Sequence, residues 1–202
     1  MKYVLNCILI GNTLCGKSSF SKVLKTSKNI EKFLGPTIGV DVTHKSFLIN
    51  NDDFKIKLWD LSGNHRFIPI LHPYISIANI ALLFFSYDNY ISKNDLQIWN
   101  DLIKLHSKNT HIYLIGSQSE KKTSENSWFS ENEMLLLKSS FPYKLYDIDC
   151  TNFNDVNKTM LSIIEDYKNN IKDDEKNKLF DSKIKTDGEN RSCFSSWLSC
   201  IY

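Results

Sequence analysis

Apolar residues follow two alternating patterns along this chain. Continuous apolar runs over Tyr3 to Ile10, Ile80 to Phe85 and His111 to Gly116 are typical of buried strands. Stretches with helical spacing separate these runs. Because strands that alternate with helices pair in parallel and are covered on both faces, the pattern predicts an α/β fold with a mostly parallel sheet.

A different strand pattern lies between the first two apolar runs. Phe54, Ile56 and Leu58 alternate with lysines, which predicts a strand with one buried face. The polar stretch 50–53 has the composition of a turn and joins this strand to Val40 to Ile49 as a hairpin. One antiparallel edge is therefore expected in the sheet.

Helices are predicted to begin near Lys17, near Lys93 and after Ser130. Ser130 and Glu133 form a capping box, in which each side chain satisfies a free backbone donor at the helix start. The last helix is predicted over about Asp155 to Ile171. Its apolar face comprises Val156, Met160, Ile163, Ile164 and Tyr167.

The length and composition fit one domain followed by a tail. With 202 residues, 42% of them apolar, the chain can form one packed core. We assign residues 1–171 to this domain. Residues 172–202 are predicted to be a flexible tail, because they carry mixed charge and almost no apolar residue before Phe194. The net charge of +2 gives no electrostatic argument for nucleic-acid binding.

Cysteine usage indicates a cytoplasmic protein. The five cysteines have no metal-ligand spacing, and their odd number leaves one unpaired in any disulfide scheme, which suits a reducing compartment. Met1 to Ile10 lacks a small-residue cleavage site and is interpreted as a strand rather than a signal peptide. The run Ile80 to Phe85 is too short to span a bilayer.

A glycine-containing motif follows the first predicted strand. Residues 11–18 read G-N-T-L-C-G-K-S and fit G-x-x-x-x-G-K-S/T, between a strand and a helix as that pattern requires. In such a loop the backbone amides face an anion, Lys17 reaches the outer phosphates and Ser18 ligates magnesium. The alternative is a turn that binds nothing. The predicted phosphate-binding residues are Gly11, Asn12, Thr13, Leu14, Cys15, Gly16, Lys17, Ser18 and Ser19.

Two further segments carry a family resemblance. Residues 36–41 read P-T-I-G-V-D, and residues 59–67 read W-D-L-S-G-N-H-R-F. They resemble switch I and switch II of Rab GTPases, whose usual forms are T-I-G-V-D-F and W-D-T-A-G-Q-E-R-F. The resemblance implies a Rab-like small GTPase of the Ras superfamily with the G-domain fold of P-loop NTPases. That fold has a six-stranded, mostly parallel sheet with one antiparallel edge, and about five helices.

The resemblance also implies a site for GTP or GDP with Mg²⁺. Ser18, Thr37 and Asp60 would hold the magnesium ion, which prefers oxygen ligands. Thr37 and the Gly63 amide would contact the terminal phosphate. Taken alone, Thr37 can start a strand and Asp60 can cap a strand end, so these roles depend on the neighbouring phosphate loop, which comprises residues 11–18.

A surface for protein partners follows from the same resemblance. Rab-like proteins carry an aromatic triad beside the switches that effectors bind, and the matching positions are Val42, Trp59 and Tyr74. The switch regions would also bind an exchange factor and an activating protein. The alternative for Trp59 and Tyr74 is packing in the sheet or against the helix of switch II.

Switch II departs from the family at its catalytic position. The family's glutamine, which orients the attacking water, is Asn64 here and is one methylene shorter, and the glutamate that follows it is His65. Phosphoryl transfer in this family depends on geometry and electrostatics. We therefore predict that Asn64 and Lys17 are the catalytic residues and that intrinsic GTP hydrolysis is slow.

The base-recognition segment departs further. The family's N-K-x-D is replaced by Ser117-Gln118-Ser119-Glu120, in which only a carboxylate survives to accept the two donors of a guanine edge. Cys150 and Thr151 align with the last base-side motif, usually S-A-K. We predict base contacts from Ser117, Gln118, Glu120, Cys150 and Thr151, and a reduced preference for guanine over adenine.

The chain ends in Ser199-Cys200-Ile201-Tyr202, which is not a standard prenylation signal because Cys200 is third from the end. Apolar residues surround Cys193 and Cys200, so both are candidate lipidation sites that would place the protein on the cytosolic face of an endomembrane or the plasma membrane. The alternative is an apolar end that folds back on the domain.

Two functions from different classes fit these observations, and a third fits less well. The first is a nucleotide-gated switch that regulates vesicle-mediated membrane or protein transport. The second is a pseudo-GTPase or scaffold that acts through its surface, with relaxed or lost guanine specificity. A P-loop ATPase or kinase of another family is permitted by the phosphate loop alone, but the switch segments argue against it.

Overall fold

The structure is a computed structural model that describes residues 2–31, 35–88, 95–118 and 131–171. The strands of this part of the chain are β1 (Lys2–Gly11), β2 (Val40–Ile49), β3 (Asp52–Leu61), β4 (Ile80–Ser86), β5 (His111–Ser117) and β6 (Lys144–Ile148). Its helices are α1 (Lys17–Thr26), α2 (Ile68–Ser76), α3 (Leu96–His106), α4 (Glu131–Ser140) and α5 (Phe153–Asn170), with a short 3₁₀ helix over His65–Phe67.

The strands form one sheet in the order β2-β3-β1-β4-β5-β6. Strands β2 and β3 pair antiparallel, and every other neighbouring pair in this sheet is parallel. The predicted mostly parallel sheet with one antiparallel edge is therefore confirmed. The hairpin turn is shorter than the predicted stretch 50–53, since Asn50 and Asn51 alone have positive φ angles, 49° and 64°, and β3 begins at Asp52. Positive φ at both central residues is typical of a two-residue hairpin turn.

Helices cover both faces of the sheet. On one face, Leu5 and Leu9 of β1 share a buried cluster with Phe20 of α1 and Met160 of α5. On the other face, Ile8 and Ile10 belong to a cluster with residues of α2, α3 and α4. The apolar face predicted for the last helix is buried throughout. Strand β4 lies at the centre of the sheet and is buried at every position.

Some predicted helix starts need adjustment. Helix α5 begins two residues before the predicted Asp155, because the side chain of Asn152 accepts hydrogen bonds from the amides of Asn154 and Asp155 and so caps the helix. Helix α3 begins at Leu96, three residues after the predicted Lys93, whereas α4 begins at Glu131, directly after Ser130 as predicted. Lys93 itself and Ser130 of the predicted capping box lie outside the described residues. Within the described ranges, no helix is both long and apolar enough to cross a membrane.

The carboxyl ends of the parallel strands meet at one edge of the sheet. Strand β1 ends at Gly11, β3 at Leu61 and β5 at Ser117, each immediately before a segment with predicted functional residues. In open α/β sheets, ligands bind in the crevice beyond these strand ends. The fold therefore places the phosphate loop, switch II and the base segment around one site.

Candidate functional site

A cleft of about 370 Å³ opens at this edge of the sheet. It lies between the phosphate loop, switch I and the loops that follow β5 and β6. Twelve of the predicted ligand-binding residues line it: Thr13, Leu14, Gly16, Lys17, Ser18, Ser19, Thr37, Gly63, Ser117, Gln118, Cys150 and Thr151. The structure thus brings the predicted phosphate side and the described part of the predicted base side together in one cavity. Sequence reasoning missed Glu31, Gly35, Pro36 and Asp149, which also line the cleft.

Two glycines set the path of the phosphate loop. Gly11 has a φ of 141°, and a Cβ there would lie 2.4 Å from the carbonyl oxygen of Phe84 in β4. Gly16 has a φ of 90° and precedes α1 without a side-chain cap, so the first amides of α1 are available to a ligand. The loop therefore has the backbone of an anion-binding turn.

Lys17 is buried in the centre of this loop, with 5% of its surface exposed. Its Nζ donates hydrogen bonds to the carbonyl oxygens of Gly11 at 2.9 Å and Asn12 at 2.5 Å. Both partners are uncharged, and a buried ammonium group is stabilised far better by an anion. The position of Lys17 therefore suits a phosphate group in the cleft.

Three oxygen-bearing side chains converge beside Lys17. The Oγ of Ser18 lies 2.6 Å from Oγ1 of Thr37, which lies 3.1 Å from Oδ2 of Asp60. Asp60 is 2% exposed, and its Oδ1 has no hydrogen-bond partner among the described residues. Burial raises the pKa of the Asp60 carboxyl above its usual range, although Ser18 and Lys17 oppose this shift. A buried carboxylate with one unpaired oxygen beside two hydroxyls fits a hard divalent cation such as Mg²⁺.

Switch II contacts both switch I and the phosphate loop. The hydroxyl of Ser62 donates to the carbonyl oxygen of Thr37 at 2.9 Å, and the Ser62 amide donates to Gly39 at 2.9 Å. A Cβ at Gly63 would lie 2.3 Å from the backbone carbon of Asn12 and 2.3 Å from the nitrogen of Thr13. The backbone of switch II therefore lies directly against the phosphate loop.

The sequence of the chain matches a known protein family. The model of the Ras family matches residues 6–169, which include all of the segments described above. The chain belongs to the Ras family. RabQ of Dictyostelium discoideum is 31% identical over 172 residues, covering 81% of this chain and 83% of RabQ. RabO of the same organism is 26% identical over 173 residues, and human Rab-3A is 29% identical over 119 residues, or 58% of this chain and 54% of Rab-3A.

These relatives make the chain a Rab-like small GTPase. The predicted fold, the small G-domain of P-loop NTPases, is confirmed by the family match together with the observed sheet order. Members of this family bind GTP and GDP, generally with Mg²⁺.

The predicted base side of the GTPase lies at the ends of β5 and β6. The hydroxyl oxygen of Ser117 and Oε1 of Gln118 are buried without a hydrogen-bond partner among the described residues. Cys150 is buried against the phosphate loop, since a Cβ at Gly16 would lie 2.9 Å from its sulfur. Glu120 lies outside the described residues. The described side chains thus leave polar atoms at the base end of the cleft that a ligand can satisfy.

The predicted catalytic residue Asn64 is exposed on switch II. Its Oδ1 accepts a hydrogen bond from the amide of Arg66 at 3.1 Å and so caps the 3₁₀ helix. This bond occupies one acceptor site of Oδ1 and restrains the orientation of the Asn64 side chain.

The predicted effector residues form one continuous surface. Val42 of β2 pairs directly with Trp59 of β3, and the rings of Trp59 and Tyr74 lie 5.1 Å apart. Val42 is 38% exposed, while Trp59 and Tyr74 are partly buried. The structure therefore supports both alternatives for the two aromatic residues, since each packs against its neighbour and remains accessible.

Two predicted phosphate-loop residues direct their side chains away from the cleft. Burial raises the pKa of the Cys15 thiol, which donates to the carbonyl oxygen of Asn12 at 2.8 Å. The side chain of Asn12 contacts Asp95 and Trp99 of α3 instead of the cleft. Only the backbone of these two residues is placed to bind phosphate, and the contact with α3 was missed by sequence reasoning.

A third residue of the phosphate loop, Leu14, has a strained backbone conformation. Leu14 has a φ of 65°, a left-handed conformation that costs a non-glycine residue about 1–2 kcal/mol. Its side chain is 50% exposed and so loses little packing when removed. We expect Leu14→Gly to raise the free energy of unfolding by about 1 kcal/mol, measured by urea denaturation at saturating nucleotide.

The control for this prediction is Leu14→Ala, which removes the same side chain but keeps the strained backbone. It should give no increase in stability. An equal increase in the free energy of unfolding for alanine and glycine would attribute the effect to removal of the exposed leucine side chain. It would contradict the proposed backbone strain at Leu14.

Proposed function

We propose that this Rab-like GTPase is a nucleotide-gated switch that binds GTP or GDP with Mg²⁺ and regulates vesicle-mediated membrane or protein transport. The observation that carries the proposal is the cluster of Ser18, Thr37 and Asp60 beside the buried Lys17. An unpaired carboxylate oxygen and a buried cation next to each other fit a metal ion bound to a phosphate chain.

Each residue of the phosphate side has one proposed task. The backbone amides of residues 11–19 bind the phosphate oxygens, and Lys17 binds the outer phosphates. Ser18, Thr37 and Asp60 hold the magnesium ion, which when bound offsets negative charge on the phosphate oxygens. Because Ser62 donates to Thr37, contact of Thr37 or Gly63 with the terminal phosphate would order both switches together.

Hydrolysis is proposed to be slow. Asn64 is the residue in line to orient the attacking water, and its side chain is short and bonded to the Arg66 amide. Positioning contributes much of the rate in phosphoryl transfer. An activating protein that binds the switches and supplies or orients groups in trans would raise the rate.

Base selectivity is proposed to be relaxed. Ser117 and Gln118 replace the family's asparagine and lysine, and Glu120 would have to accept the guanine donors with a longer side chain. Cys150 and Thr151 offer backbone groups beside the base. The preference for GTP over ATP would therefore be smaller than in relatives with the full motif.

The function is tested by identifying the small molecule that co-purifies with the protein and by measuring GTP, GDP and ATP affinities with Mg²⁺ and with chelator. We expect guanine nucleotide to be released from the protein and affinity to fall when Mg²⁺ is removed. Strict guanine selectivity at nanomolar affinity would contradict the relaxed base site. No affinity for any nucleoside triphosphate would overturn the proposed switch.

The second candidate is a pseudo-GTPase that acts as a scaffold. It is favoured by the engaged Asn64 side chain and by the substitutions at Ser117 and Gln118. The two candidates differ in how a partner binds. A switch binds its effector through Val42, Trp59 and Tyr74 in only one nucleotide state, whereas a scaffold binds it equally in both.

We also propose that residues 1–171 form the G-domain and that residues 172–202 form a tail that reaches a membrane. Cys193 and Cys200 lie among apolar residues, as a lipidated anchor requires. The GTPase would then act in the cytoplasm, on the cytosolic face of an endomembrane or the plasma membrane. Mass spectrometry of the native C-terminal peptide tests this, and unmodified cysteines would remove the anchor.

A further inference from the structure

Asp95 connects two segments of the site through one carboxylate oxygen. The Nδ2 of Asn12 in the phosphate loop donates to Oδ2 of Asp95 at 2.9 Å. The Nε2 of His65 in switch II lies 3.2 Å from the same oxygen. Asp95 occupies the N-cap position of α3, where an aspartate usually accepts a bond from the helix's own amides, but its side chain makes no such bond. Its carboxylate instead binds residues outside the helix.

The Asn12 side chain has a fixed orientation in this arrangement. Its Oδ1 accepts a hydrogen bond from Nε1 of Trp99 at 2.6 Å while its Nδ2 donates to Asp95. Rotating the amide by 180° would place its donors against the indole N–H and its oxygen against the carboxylate. Asn12 is 5% exposed and Trp99 is fully buried, so water cannot readily replace these bonds. The phosphate loop is therefore tied to α3 by directional bonds.

Switch II is attached on both sides of Asn64. Before it, the backbone of Gly63 lies against the peptide between Asn12 and Thr13. After it, His65 contacts Asp95 and lies edge-on to the Trp99 ring with centroids 5.2 Å apart. Both attachments lead back to the same point of the phosphate loop.

We propose that Asp95 is a positioning residue, through which α3 holds switch II in register with the phosphate loop. Asp95 does not line the cleft, and it acts through His65 on the placement of Asn64. The inference rests on the proposed nucleotide switch for its effect on turnover. The coupling among Asp95, His65 and Asn12 can be measured independently of nucleotide.

The deciding measurement is hydrogen exchange of the amides from His65 to Ser76 in the full chain, with GDP, with a non-hydrolysable GTP analogue and without nucleotide. Asp95→Ala is expected to speed exchange in this segment about tenfold, because a charge-assisted hydrogen bond is lost. Exchange in β1 and β5 should remain unchanged. The control is Asp101→Ala, which removes an exposed carboxylate from the same helix and should leave switch II unaffected.

The rate of GTP hydrolysis distinguishes a positioning role for Asp95 from a general loss of structure. Single-turnover GTP hydrolysis by Asp95→Ala should fall about tenfold, whereas the Kd for GTP should change less than about threefold, since Lys17 and Ser18 are untouched. A parallel loss of affinity and rate, or faster exchange throughout β1 and β5, would show a structural role only and overturn the proposal.

A reciprocal exchange of groups provides the rescue test. Asn12→Asp alone places a carboxylate against Asp95 and should loosen switch II through like-charge repulsion. The double variant Asn12→Asp/Asp95→Asn restores one amide facing one carboxylate and should recover the protection lost to the repulsion, but not the part that depends on the charge of Asp95 beside His65. Likewise, His65→Ala and Asp95→Ala should be non-additive when combined. Additive effects without rescue would refute the coupling, whereas loss of all nucleotide binding by the wild-type chain would instead refute the proposed switch.

Discussion

Replacing Lys17 with alanine is expected to weaken the binding of both GTP and GDP by roughly a hundredfold. The Lys17 ammonium is buried at the centre of the phosphate loop, and the carbonyls of Gly11 and Asn12 hold it there. In the variant, the phosphate chain loses the cationic side chain at the centre of the loop, and no water can supply that charge in the buried position. Calorimetric titration with each nucleotide in the presence of Mg²⁺ measures the effect.

Lys22→Ala is the matched control, because Lys22 lies on the same helix but is exposed. Its removal changes the net charge of the chain by the same amount and should leave both affinities within about twofold, since exposed charges are strongly screened. Equal losses for Lys17 and Lys22 would attribute binding to general electrostatic attraction rather than to the phosphate loop.

The sheet and its hairpin could be predicted because their signals are local. The alternation of Phe54, Ile56 and Leu58 fixes which face of β3 is buried, and a run such as Ile80 to Phe85 has no polar face at all. Element ends were less accurate. The cap at Asn152 and the two-residue turn at Asn50 and Asn51 depend on backbone angles that composition does not determine.

The members of the cleft could be predicted where a motif fixes both spacing and context. Thr37 and Asp60 are separated in sequence but meet at Ser18, as the resemblance implied. The capping bond of Asn64 and the strained φ of Leu14 carry no sequence signal, because side-chain orientation and local strain arise from the folded loop.

The contact between Asn12 and Asp95 could not be predicted, since 83 positions separate the two residues. No pattern links a residue of the phosphate loop to the first residues of α3. Only the parallel pairing of β1 with β4 brings them together, because α3 begins at the same edge of the sheet where β1 ends. His65, which had no interpretation in the sequence, gains one from the same geometry.

Gly63→Ala is expected to abolish the difference in the order of switch II between the GTP-bound and the GDP-bound protein. The added Cβ would lie 2.3 Å from the backbone of Asn12 and Thr13, whereas carbon atoms normally approach to about 3.5–4.0 Å. The backbone fixes the position of a Cβ, so no rotamer change can relieve this contact and switch II must withdraw by about 1 Å. The Gly63 amide would then be too distant to bind the terminal phosphate.

Trypsin cleavage after the exposed Arg66 reports this change. In the wild-type chain, cleavage should be slower with a GTP analogue than with GDP, because the terminal phosphate orders switch II. In Gly63→Ala the two rates should be equal, and affinity for the GTP analogue should fall about tenfold relative to GDP through the loss of one hydrogen bond to a charged group. Gly35→Ala is the control, since a Cβ there meets no described atom within 4 Å and the nucleotide-dependent difference should persist. Protection by the GTP analogue in Gly63→Ala equal to that of the wild type would show that switch II does not need this close approach to respond to the terminal phosphate.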